Sequence, residues 1–181
     1  MKTSLPYGAA ITFACAVLTL VLHIMGYLTD PERLGTGLLI TTPITLLIVI
    51  VGIVLGTRKA REPYGAKGFT YGQAWVAGFY VVLVAALTGA IFNFVYYQFI
   101  NPNFFEVTAE WTRSLMEKMR VPDAQIDKQM EAMRAGNGVI KQAVKGFFGT
   151  IIMGMIFALI TSIFLKREPS DDLTEVPPPL A

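Results

Sequence analysis

The stretch YGQAWVAGFYVVLVAALTGAIFNFVYYQFI, from Tyr71 to Ile100, contains no Asp, Glu, Lys or Arg. A helix crosses the hydrocarbon core of a bilayer with roughly 20 apolar residues, so this stretch is long enough to span a membrane and to tilt or project from it. Tyr71 and Trp75 stand at one end, and Tyr96, Tyr97 and Phe99 at the other. This is the interfacial aromatic pattern of a membrane span. Thr70 and Gln73 have the spacing of a capping box, which predicts a helix starting at Tyr71.

The same reading extends outward. Tyr7–Leu28, Leu38–Leu55 and Gly146–Leu165 also contain no Asp, Glu, Lys or Arg. Hydrophobic residues make up 54% of the 181, which excludes an ordinary soluble domain. The expected fold is all-α: a polytopic membrane protein with four spans at about 7–28, 38–57, 71–100 and 144–165. These form one membrane domain, 1–167, followed by a disordered Pro-rich tail, 168–181. Lys2 and the first apolar run resemble a signal peptide, but no A-x-A site follows the run, so it reads as a retained span. Thr29 to Gly35 reads as a short turn, and Pro43 lies near the expected start of span two, where a missing N–H does least harm.

Orientation rests on short loops. Arg58 to Lys67 carries four basic residues and one acid, whereas the first connection carries only Arg33 as a base. Excess Lys and Arg keep short loops cytoplasmic. Both termini are therefore expected inside, and the long connection after span three outside.

That connection is predicted to be an extracytoplasmic amphipathic hairpin, about 103–136. Phe104, Val107, Trp111, Leu115 and Met119 recur every three or four residues, which places them on one helical face. Val121-Pro122-Asp123 breaks the period. Ile126, Met130 and Met133 then share a face of a second helix, ended by Gly136-Asn137-Gly138. The two stripes are candidates for covering the bundle mouth or for binding a partner, since Met-bearing faces adapt to varied surfaces. Met116, Met119, Met130 and Met133 also have a spacing that suits a soft cation, but all four fit the apolar pattern and no Cys or His accompanies them, so no metal is assigned.

Within the spans, Gly146, Thr150, Gly154, Ala158 and Ser162 form a ridge of small residues, and Gly52 and Gly56 form a shorter one. Such ridges let helix backbones approach closely in lipid. Within-chain packing is the default for them, and pairing between chains the alternative. His23 and Asn93 are the candidate intramembrane polar pair, and if they meet they form the only polar cluster in the bundle. Cys15 is alone and inside span one, so no intrachain disulfide can form.

No nucleophile–base pair or metal-spaced carboxylate pair is found. Lys67 to Gly72 lacks the GK[ST] ending of a phosphate loop. No cofactor is expected, and the net charge of +2 points to no nucleic-acid partner. The expected function is non-enzymatic: an accessory or scaffold subunit whose contacts are the bilayer and a protein partner or a second copy. The alternative is a small oligomeric transporter or channel.

Three segments carry a family resemblance: Phe69-Thr70-Tyr71-Gly72-Gln73-Ala74, Tyr96-Tyr97-Gln98-Phe99-Ile100-Asn101-Pro102-Asn103-Phe104, and Pro122-Asp123-Ala124-Gln125-Ile126-Asp127. In their order the chain resembles a small bacterial inner-membrane family with four spans and no characterised function. The resemblance runs to Arg167. It implies the architecture and a multi-pass inner-membrane location, and no mechanism.

Overall fold

A computed structural model of the chain describes residues 5–136 and 138–168. Six α-helices follow in order: α1 Leu5–Ile24, α2 Pro31–Arg61, α3 Tyr71–Val95, α4 Phe104–Lys118, α5 Asp123–Gly136 and α6 Val139–Leu165. A 3₁₀ turn, Glu62–Lys67, follows α2, and a π-turn, Tyr96–Ile100, extends α3. The helices α1, α2, α3 and α6, with the turns that extend α2 and α3, are long and apolar enough to cross a membrane. The proline-rich tail lies outside the described residues.

The bundle is apolar on its outside. Phe13, Ile24, Leu39, Phe99, Ile140 and Phe164 are each more than 70% exposed. In water such a surface would associate or precipitate, whereas in a bilayer it is the solvated face. The interior is built from small residues and β-branched side chains. α3 lies at its centre, with Val81 and Val82 buried between Ile11, Ile53 and Ala158.

Close helix approach depends on the small residues. A methyl group on Gly154 would collide with the Val82 side chain, and one on Gly52 with Ile11. Gly56 faces Val81 and Tyr7, while Ala158 packs beside Gly78. Gly154, Ala158 and Ser162 are buried, so this part of the α6 ridge is used within the chain, against α3. Thr12 adds polar glue, meeting Thr88 Oγ1 at 2.7 Å and donating to the Ala85 carbonyl at 3.1 Å.

Several boundaries differ from the sequence expectation. Pro31–Gly35 is the first turn of α2 rather than a connecting turn. Asp30 caps it, its side chain accepting from the Glu32 N–H at 2.9 Å, and Pro31 takes the first helical position. Pro43 is consequently inside α2 rather than near its start. α1 ends at Ile24, four residues short of the expected 28, and α6 begins at Val139, five residues before 144. Charges at helix ends explain the last difference: Lys141 and Lys145 are tolerated in α6 because they precede its apolar run. The 31 residues of α2 make it about 46 Å long at 1.5 Å per residue, well beyond a hydrocarbon core of about 30 Å.

Candidate functional site: the hairpin end of the bundle

The end where α1 stops and α3 gives way to α4 holds a buried polar network. Tyr96 is 2% exposed and Asn101 is 4% exposed. Pro102 disfavours helix at Asn101, and the backbone there leaves α3 through the π-turn, closed by Asn101 N–H donating to the Tyr96 carbonyl at 2.7 Å. This places the Asn101 amide inside the fold. Its Nδ2 donates to the Leu28 carbonyl at 3.0 Å and to Tyr96 Oη at 3.2 Å. Tyr96 Oη also meets His23 Nδ1 at 3.3 Å, with the two rings edge-on. One side chain thus joins the turn after α1 to the end of α3.

His23 and Asn93 do not form the pair considered from sequence. The hydrogen-bond partner of His23 is Tyr96, and Asn93 points toward Gly146 of α6. Tyr96 and Asn101 are the residues that sequence reasoning missed. Their signal was present in the Asn-Pro exit, which marks an end of helix but says nothing of a partner 73 residues away.

α4 roofs this network. Phe104 packs on Tyr97, ring centroids 5.1 Å apart, and Val107 is buried with Leu22, Leu28 and Leu34. Trp111 lies over Gly35, where an added Cβ would come within 3.0 Å of the indole nitrogen. The second half of the stripe extends past this support: Leu115 is 42% and Met119 68% exposed.

α4 ends with Arg120 in the left-handed region at φ 56°. The Val121 N–H donates to the Met116 carbonyl and the Arg120 N–H to the Glu117 carbonyl. This is a Schellman end with arginine where glycine is usual. The chain reverses through Pro122 into α5, where Ile126 is buried, Met133 is half-buried and Met130 lines a cleft. The cleft lies between α4 and α5 and has a volume of about 770 Å³. Phe105 and Met130 supply apolar wall. Glu106, Glu110, Asp127 and Glu131 supply carboxylates, with Arg113 and Arg134 beside them. Arg113 is engaged by Glu117 at 3.0 Å, so the cleft is acidic on balance.

The remaining candidates lie elsewhere. Gly146, Thr150 and Gly154 border a groove of about 460 Å³ between α2 and α6, opposite Thr41, Thr45 and Val49. Cys15 is a free, half-buried thiol in α1. Among the described residues, no cluster of three or more His, Cys, Asp or Glu side chains has the arrangement of a metal site.

A helical bundle with four apolar spans and an apolar exterior defines a multi-pass integral membrane protein. Residues 6–167 match the family model of a protein of unknown function, DUF4199, and the chain belongs to that family. No curated protein and no solved structure matches it.

Proposed function

We propose that the protein is a non-enzymatic accessory or scaffold subunit of a bacterial inner-membrane assembly, with both termini cytoplasmic and the α4–α5 hairpin outside. The observation that carries this reading is the division of labour along α4. Phe104, Val107 and Trp111 pack the hairpin onto the bundle, while Leu115 and Met119 extend the same stripe into the open. A surface held by a buried network and left apolar beyond it suits docking to a protein partner. The short-loop charge excess supports the orientation.

Native mass measurement in several mild detergents tests the reading. The intact chain is expected in a complex heavier than the monomer. Leu115→Glu with Met119→Glu should release it without lowering the melting temperature of the isolated chain. A lone monomer in every detergent would refute the proposal.

A further inference from the structure

Charge divides unevenly between the two ends of the bundle. At the hairpin end, from the α1–α2 turn to the start of α6, eight Lys and Arg face eight Asp and Glu among the described residues. At the opposite end, among the described residues, Arg58, Lys59, Arg61, Lys67, Lys166 and Arg167 stand with Glu62 and Glu168. All of the described net charge therefore sits at this second end.

Tertiary contacts gather these cations from three segments. Phe69 and Arg167 form a two-bond antiparallel bridge, at 2.7 and 2.8 Å, that clasps the segment before α3 to the end of α6. Arg61 reaches across to donate to the Leu165 carbonyl at 3.4 Å. Lys59 pairs with Glu62 at 2.7 Å, so one cation and one carboxylate offset each other and the positive excess is unchanged. Beside the clasp lies a pocket of about 190 Å³, walled by Tyr64, Phe69, Val76 and Ala77. The pocket shares Phe69 with the clasp, and Lys67 and Arg167 adjoin that residue, one along the chain and one through the bridge, so the cations stand at the rim of the pocket and not in its wall.

We propose that this clasped end binds the headgroup of an anionic phospholipid, with the apolar part of the lipid lying along the pocket wall. Charge complementarity selects the anion. The adjoining apolar wall, and the position at the end of four membrane spans, select a lipid over a free phosphate. The inference concerns the end opposite the hairpin and stands apart from the scaffold reading.

The test uses the full chain in a neutral detergent, mixed with equal amounts of phosphatidylglycerol and phosphatidylcholine and weighed by native mass spectrometry. Phosphatidylglycerol should be retained in clear preference. Lys67→Gln should weaken its retention about fivefold, the effect of one surface charge on anionic lipid, and Lys67→Gln with Arg167→Gln further still. The bridge uses only the backbone of Arg167, so the clasp is retained in the double variant. Lys128→Gln, at the hairpin end, should change nothing. Equal retention of the two lipids would overturn the proposal, and so would an equal loss in Lys128→Gln. Displacement of the lipid by millimolar inorganic phosphate would overturn the lipid in favour of a soluble anion.

Discussion

Replacing Asn101 with alanine should loosen the hairpin end more than any other single polar change in the bundle. The side chain makes two hydrogen bonds, at 3.0 Å to the Leu28 carbonyl and 3.2 Å to Tyr96 Oη. Each contributes about 0.5–1.5 kcal/mol net. Tyr96 Oη keeps His23 as a partner. The Leu28 carbonyl, on a residue only 4% exposed, loses its side-chain donor, and an unsatisfied buried acceptor costs about 1 kcal/mol or more. The sum is about 2–4 kcal/mol, or roughly 30- to 1,000-fold in the equilibrium for opening this end. Asn93→Ala is the control, because Asn93 makes no side-chain hydrogen bond among the described residues, and it should cost under about 1 kcal/mol. Hydrogen exchange reads the difference locally. Amides of α4 and of the turn after α1 should exchange faster in Asn101→Ala, while those in the middle of α3 should not. Unfolding in mixed detergent micelles gives the global value. Equal destabilisation by the two variants, or unchanged exchange in α4, would refute the latch.

Three further outcomes follow from particular contacts. Gly154→Val should force α6 from α3 and cost about 3 kcal/mol or more, since even a methyl there strikes Val82; adding Val82→Ala should restore part of the loss, whereas Gly149→Ala, with open space around it, should be tolerated in the same unfolding assay. Arg120→Gly should stabilise the α4 end by about 0.5–1 kcal/mol, because glycine adopts the left-handed conformation without the Cβ penalty, and slower exchange of the Val121 amide would report it. Thr57→Val should raise the melting temperature, since the Thr57 hydroxyl is buried without a partner among the described residues and a methyl of similar shape removes an unsatisfied group; a fall instead would mean that the hydroxyl is bonded.

The spans were legible because hydropathy is a local property. Tyr71 to Ile100 declares a membrane helix whatever surrounds it, and the Thr70–Gln73 capping box is a contact between near neighbours, present in the fold with both of its hydrogen bonds. The break at Pro122 between the two amphipathic helices was readable for the same reason. Asp30-Pro31 was open to two readings. The pair suits a turn and equally suits a cap followed by the first helical residue, and packing of Leu34 into the core, fully buried, decides for the helix.

Sequence alone determined the number of spans, their approximate limits and the two amphipathic stripes, since each depends on residues within a turn or two of one another. Tertiary structure decided which neighbour each face meets. Gly154 is a small residue in either view, but only the fold opposes it to Val82 rather than to a second chain. Asn101 ends a helix in either view, but only the fold brings it to Leu28 and, through Tyr96, to His23. Partners 73 positions apart leave no periodic trace, because the chain between them is constrained by lipid and not by the contact it closes.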